Sequence, residues 1–411
     1  YEEIEATDYW KFFEPVIERL TITLALPIIW LTSDSNDPLL TEKRSGVNAF
    51  FIGEGACRTV VLNTLSVNLV IMTMPDLGNY YIKRSGSCIH YMYLFHSIVS
   101  SHMIYRKGAF DQFDSILCVG KHHVEEIREW EVLNQLPAKQ LFNHGYGVLD
   151  KLLEEKKQRS LPLTDEAVHV LIAPSWGPNG LLETWGEETI EVLLDAGLQV
   201  TVRPHQMTSK RSPNLKKKLI IRFGNHPSFK FESDTRTNES LHAANIMVSD
   251  WSGVALEFAF GLEKPVVFID QPLKLNNAEY SRLKSVPLEI LLREKIGRIL
   301  PAEDIKKLPS VVAELAASPE DFEMRVKELR ENFVFNIGNS RSEKLMDFIG
   351  IIEAELGQKA DINFLPMQQG DVLETFADIE ETKQVFGFNP KITISEGLRN
   401  FIRWYRDYYN A

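Results

Sequence analysis

Short, almost uninterrupted apolar runs alternate along this chain with longer stretches of helical character. Residues 22–31, 48–52, 67–74, 89–95 and 115–119 form a first series of such runs, each followed within three residues by Asp, Gly, Ser or His. A strand buried on both faces reads as a continuous apolar run, whereas a half-exposed strand alternates. The pattern therefore predicts parallel sheet covered by helices. Pro27 and His90 interrupt two of the runs and weaken them as strands.

Residues 151–159 are densely charged and Pro162 follows, as in a linker or at a helix end. The pattern then restarts. Residues 168–173, 199–202, 246–248 and 266–269 read as strands, and 181–196, 214–223 and 254–261 as intervening helices. Two successive α/β units predict two Rossmann-like lobes, placed at residues 1–150 and 165–355, with a helical stretch over 306–356 closing the second. Residues 360–411 stand apart as a C-terminal appendage. A length of 411 residues suits two domains and a tail.

Open parallel sheets bind ligands beyond the carboxyl ends of their strands. The polar residues in that position are His96 in the first lobe, and Arg203, His205, Ser249 and Asp250 in the second. Ser249-Asp250-Trp251-Ser252-Gly253 lies between a strand and a helix. Free N–H groups at a helix start, with hydroxyls beside them, suit an anion. The same residues also make an ordinary N-cap. In Arg203-Pro204-His205 the guanidinium can clamp a phosphate and the imidazole can donate a proton to one; a plain surface loop is the competing reading. His96 can take a proton from an alcohol near neutral pH, or simply fill a turn, and His102 lies six residues on. His122-His123 reads as polarity at the start of a helix, because no carboxylate or thiol spacing supports a metal.

Other features exclude whole classes. Cys57, Cys88 and Cys118 are too few and scattered for a disulfide framework or a zinc site, which points to a reducing compartment. No P-loop, no G-x-G-x-x-G and no G-x-S-x-G elbow is found; Gly53-Glu54-Gly55 is only a fragment. The net charge of −12 argues against a general nucleic-acid binder. Yet Arg203, Lys210, Arg211, Lys216, Lys217, Lys218 and Arg222 form a local basic run over 203–222, suited to a membrane surface or a phosphate polymer, or else a solvated helix face. The longest apolar runs fall far short of the ~20 residues that span a bilayer, and no signal peptide is visible. The chain opens on Tyr1 rather than Met, which leaves room for an upstream segment and any anchor it carries.

The ordered set of segments resembles the CDP-glycerol glycerophosphotransferase family, the teichoic-acid and capsule polymerases and primases. The resemblance rests on Phe95-His96, Phe113-Asp114, Gly145-Tyr146 with Asp150-Lys151-Leu152, Ile172-Ala173-Pro174-Ser175-Trp176, Arg203-Pro204-His205, the Ser249–Gly253 turn, Glu257-Phe258-Ala259 and Lys264-Pro265-Val266. Where the family commonly has Trp-His-Gly, His-Pro and Ser-Asp-Tyr-Ser-Ser, this chain has Phe95-His96-Ser97, His205-Gln206 and Ser249-Asp250-Trp251-Ser252-Gly253. The resemblance implies a GT-B fold, two Rossmann-like lobes around a cleft. It implies transfer of a glycerol phosphate or related polyol phosphate from a CDP-linked donor to a hydroxyl of a surface polysaccharide or lipid-linked acceptor. His96 would be the base. Arg203 and His205 would stabilise the transferred phosphate or leaving nucleotide, and Ser249, Asp250, Ser252 and Gly253 would hold the diphosphate. No cofactor is implied and no metal residues are assigned, although a divalent cation at the diphosphate stays open. The expected location is cytoplasmic, peripheral at the inner face of the plasma membrane. A nucleotide-sugar glycosyltransferase is the alternative.

The tail is similar to the C-terminal end of UDP-glucuronate 4-epimerases. The similarity rests on residues 362–372, Thr375, Ala377-Asp378, Phe386-Gly387-Phe388, Pro390 and Gly397. Without a glycine fingerprint the NAD-binding core of such an enzyme is missing, which weighs against an epimerase; a non-catalytic polymer-binding subunit is a further alternative. Tyr280 and Lys284 have the Tyr-x-x-x-Lys spacing of the epimerase pair but read as a coincidental helix-face pair. Phe401, Trp404, Tyr405 and Tyr408 would give the last helix an apolar face.

Overall fold

The computed structural model describes residues 7–79, 82–88, 90–159, 167–232, 237–333, 344–362 and 391–409. Residues Tyr1–Phe333 form one compact unit and Val334–Ala411 a second. Every pairing between the described strands is parallel.

Among its described residues the first unit contains three sheets. β1 (Ile28–Thr32) and β2 (Val47–Phe51) pair only with each other. β3 (Leu69–Met72), β4 (His90–Leu94), β5 (Ser115–Cys118) and β6 (Gln140–Asn143) form a four-stranded sheet in sequence order. β7 (His169–Ile172), β8 (Gln199–Val202), β9 (Phe229–Phe231), β10 (Ile246–Ser249), β11 (Val266–Asp270) and β12 (Gly297–Pro301) form a six-stranded sheet in the order β12-β11-β10-β7-β8-β9. The chain runs outward from β7 to β9, then returns to the other side of β7 with β10. That reversal opens a crevice between the ends of β7 and β10, where such sheets bind ligands.

In the six-stranded sheet the apolar runs became strands covered by other layers. Val170, Ile172, Val200, Val202, Ile246, Val248, Val267 and Ile269 are all buried in the second sheet. The first sheet has a more aromatic core, in which Tyr93 meets Phe95, Phe110 and Phe113 edge-on at 4.9–5.1 Å. Edge-to-face contacts of this kind add to the stabilisation from burial itself.

The run 22–31 departs from expectation. Its first part closes a helical turn (Arg19–Thr23), and only Ile28–Thr32 is a strand. Ile22, Leu24 and Leu26 are exposed, so there the apolar run marks surface, not sheet interior. The single helix read over 181–196 is broken at Trp185 into Leu181–Thr184 and Gly186–Asp195. The stretch 306–356 resolves into Leu308–Ala316, Pro319–Phe333 and Leu345–Leu356, with 334–343 outside the described residues. The charged residues 151–158 are the body of a helix, Gly147–Gln158, while Pro162 lies outside the described residues.

The two main sheets are joined through a shared apolar cluster. Ile98 and Val99, beyond β4, and Tyr146, Leu149 and Leu152 pack on the helix Gly253–Leu262. That helix is buried from Ala255 to Leu262. Gly261 lets it approach closely, since a Cβ there would stand 2.8 Å from Leu152 Cβ.

In the second unit, the helix Leu345–Leu356 ends on Gly357, whose φ of +68° suits glycine, and Arg399 on the helix Ile394–Tyr409 bonds Glu355 at 2.8 Å. The epimerase-like residues 363–390 lie outside the described residues, as do the side chains of Trp404 and Tyr408.

Candidate active site

His96 stands two residues beyond β4. Its Nδ1 lies 3.1 Å from the carbonyl oxygen of Thr73 and 2.9 Å from the Thr73 hydroxyl, just past β3. A carbonyl only accepts, so Nδ1 carries the proton and Nε2 keeps its lone pair. Among the described residues Nε2 has no hydrogen-bond partner. Tyr9 and Phe12, from the helix Thr7–Glu18, and Tyr105 surround the ring edge-on at 5.5–6.2 Å. Burial pushes the pKa of His96 down to about 4; the Thr73 hydrogen bond opposes this, and Lys11 adds to it. The ring is therefore neutral around pH 7.

His205 follows β8 and caps the helix Gln206–Arg211. Its Nδ1 accepts the Met207 N–H at 3.1 Å, so the proton of the neutral ring sits on Nε2. Its pKa is also pushed down, by burial first and then by the charges of Lys274, His96 and Lys11, although the residue still presents surface to solvent. The two histidines are close enough to feel one another's charge. They are complementary: one offers a lone pair at Nε2, the other an N–H at Nε2.

The turn after β10 divides its labour. The Ser249 hydroxyl donates to the Ala173 carbonyl at 2.8 Å and is fully buried. Asp250 accepts the N–H of Ser175 at 2.6 Å and of Leu181 at 3.0 Å, so its carboxylate ties together the two banks of the crevice. Ser252 caps the helix Gly253–Leu262 by backbone geometry, without a side-chain capping bond, which leaves its hydroxyl available. A Cβ on Gly253 would stand 2.8 Å from the Ser97 hydroxyl, so the loop carrying His96 presses against this helix start. Tyr146 reinforces the contact. Its hydroxyl donates to Glu257, one turn into the helix, at 2.6 Å, and lies 3.3 Å from the His96 carbonyl.

Arg203 does not join this group. It is buried with Nη1 within 3.0 Å of Glu232, the Thr237 carbonyl and the Ser240 hydroxyl. Its charge is neutralised inside the second lobe. The basic run is likewise divided: Arg222 pairs with Glu187 and Glu191, Lys218 with Glu187, and Arg211 lies over the ring of Trp176. His102 is buried against Glu126 at 3.3 Å. His122 and His123 are core residues rather than surface polarity at a helix start, and bond the carbonyls of Ile98 and Val99 at 2.9 and 2.8 Å. They thereby brace the loop beyond His96.

Two cleft cations escaped the sequence reading. Lys274 lies four residues past β11, beyond the polar residues that directly follow the strand. Lys11 sits on a helix, where no strand-end rule applies. Among the described residues no cluster of three or more His, Cys, Asp or Glu side chains is placed to hold a metal, and no helix is long and apolar enough to cross a membrane.

Two parallel α/β lobes facing each other across a cleft, with ligand groups at their strand ends, define a protein of the GT-B class. The fold is shared with a Listeria monocytogenes protein assigned as a UDP-N-acetylglucosamine 2-epimerase, at TM-score 0.51 and 10% identity over 80% of this chain and 93% of that one. Within that class, the family model for CDP-glycerol:poly(glycerophosphate) glycerophosphotransferase matches residues 100–350, and the chain belongs to that family. A structure of the wall teichoic acid polymerase TagF aligns at TM-score 0.48 and 13% identity, covering 80% of this chain and 82% of that one. UDP-glucuronate 4-epimerase 2 of Arabidopsis thaliana is 38% identical over 77 residues, 18% of this chain and 18% of its own length. The chain spans less than a quarter of the length of the first curated relatives it matches.

Proposed function

We propose that this chain transfers glycerol phosphate, or a related polyol phosphate, from a CDP-linked donor to a hydroxyl of a cell-surface polymer or its lipid-linked primer. The observation that carries the reading is the pair of histidines with opposite tautomers at one cleft. The acceptor hydroxyl gives its proton to Nε2 of His96 while its oxygen bonds the donor's distal phosphorus. The bond from that phosphorus to the bridging oxygen breaks, and CMP departs. Nε2–H of His205 donates to the phosphate oxygens as charge builds on them. Positioning and charge stabilisation are the main demands of phosphoryl transfer.

Ser252 and the helix start at Gly253 receive the phosphate. Ser249, Asp250 and Arg203 act one step back, by holding the crevice walls and the β8 loop. Residues 360–411 are read as a C-terminal appendage and given no role in the transfer. Attachment to an anionic membrane surface at the cytoplasmic face falls to the exposed Lys210 and Lys217, since Arg203, Lys218 and Arg222 are paired.

The test is CMP release from CDP-glycerol in the presence of a glycerol-phosphate primer. His96→Ala and His205→Ala should each abolish it while the chain stays folded at the assay temperature, although each gives up a native hydrogen bond. Near-full activity in either variant removes that residue's role, and a preference for uridine nucleotides in binding would move the reading to a nucleotide-sugar transferase.

A further inference from the structure

The cations around the crevice are unevenly neutralised. Arg203 is answered by Glu232 at 3.0 Å. Arg293 is answered by Asp270 at 3.0 Å and lies over Trp251, 4.0 Å from its ring centre. Lys274 has no such partner. Among the described residues its ammonium makes no ion pair and no hydrogen bond. Instead Nζ sits 4.6 Å from the ring centre of Trp176, which follows β7. Arg211, which likewise has no carboxylate partner among the described residues, lies 5.0 Å from the same ring, and His205 is 6.1 Å from it.

These groups come from four neighbouring strand ends. Lys274 follows β11, the Ser252 turn follows β10, Trp176 follows β7 and His205 follows β8. The crevice at the strand reversal lies in their midst. Two acids face Lys274. Asp250 already accepts two backbone N–H groups, and Glu183 accepts the Thr208 hydroxyl at 3.3 Å. Burial of Lys274 holds its pKa below the usual lysine range, with Asp250 and Glu183 countering only in part. Removing an ammonium from water without a partner is unfavourable, and an anion arriving at that spot offsets the cost.

We infer that Lys274 is the cation that receives the donor's diphosphate, seated on the ring of Trp176 opposite the Ser252 turn. This rests on the transferase reading and adds to it a residue the strand-end motifs do not contain. Lys11, near the two histidines and without an ion-pair partner among the described residues, supplies positive field from the other lobe.

The experiment is calorimetric titration of the full chain with CDP-glycerol, cytidine and a short glycerol-phosphate oligomer, for wild type, Lys274→Met and Lys274→Arg. The expected result is a loss of about 30-fold in CDP-glycerol affinity in Lys274→Met, with cytidine affinity unchanged and recovery in Lys274→Arg. Wild-type affinity should also fall more steeply with salt than that of Lys274→Met. Equal CDP-glycerol affinity in Lys274→Met and wild type overturns the inference and leaves the transferase reading standing. Loss of oligomer binding alone places the lysine on the acceptor and also overturns it. If wild type binds no cytidine nucleotide, the transferase reading fails and the inference falls with it.

Discussion

Acid should weaken this protein through a histidine that never touches substrate. His123 is fully buried and lies against the ring of Phe95, with centroids 3.7 Å apart. Its Nε2–H donates to the Val99 carbonyl at 2.8 Å, and its Nδ1 accepts the Val119 N–H at 3.3 Å. Both nitrogens are thus committed in the neutral ring, and a second proton on Nδ1 would confront an N–H. Burial, helped by His122, pushes the pKa down to about 3. In the unfolded chain the same group titrates near ~6.5. The native form therefore resists a proton that the unfolded form accepts. Its stabilising contribution is complete above about pH 6.5 and is lost progressively as the pH falls toward the folded value. Between pH 7 and pH 5 the loss from this one ring is about 2 kcal/mol. His123→Gln keeps a donor and an acceptor but cannot titrate. Urea unfolding of both proteins at pH 7, 6 and 5 should show wild type losing about 2 kcal/mol more than the variant across that interval. Equal losses in the two proteins would refute the argument, because the folded ring would then have to accept its proton freely.

Two further substitutions probe the junction between the sheets. Tyr146→Phe removes the hydroxyl that bonds Glu257 at 2.6 Å and leaves a buried carboxylate short of a donor; a loss of about 2 kcal/mol is expected, and Glu257→Gln in the same chain should recover part of it. A lower urea midpoint that Glu257→Gln does not improve would count against that account. Gly261→Ala adds a methyl 2.8 Å from Leu152 Cβ and Cδ1. Overpacking of about 1–3 kcal/mol should outweigh the ~1 kcal/mol gain in helix propensity, so a raised melting temperature would show that the helices separate freely.

Edge strands were read too where their runs are apolar, as at β2 and β3, but the four strands read most sharply in the second sheet share one property. β7, β8, β10 and β11 have neighbours on both sides and helices on both faces, and their apolar runs match the strands within about a residue. The three strands that the apolar pattern missed, β6, β9 and β12, all lie at sheet edges. β9 alternates Phe229-Lys230-Phe231 and β12 carries Arg298 and Pro301, because an edge strand with one wet side does not need a continuous apolar run. The opposite error occurred at 22–26, where apolar residues lie exposed beside β1. Apolarity reports burial only when another layer is there to cover it, and that layer is set by residues far away in sequence.

The same distance limits what a motif says about charge. Arg203-Pro204-His205 presents an arginine and a histidine two residues apart, and nothing local distinguishes their fates. The arginine turns inward because Glu232, 29 residues on, and Ser240 receive it. The histidine stays at the cleft because its Nδ1 caps the next helix, which directs its remaining N–H to whatever lies beyond. Likewise the tautomer of His96 is set by a carbonyl 23 residues earlier, just past the neighbouring strand. Strand-end position therefore nominates residues, but the partners brought in by the fold decide which keep a free charge, proton or lone pair. Among the described residues, those at this cleft include Lys274, Lys11, His205, the Ser252 hydroxyl and Nε2 of His96. Together they make a set of two donors, two cations and one base, which is the complement of an anionic phosphate approached by an alcohol.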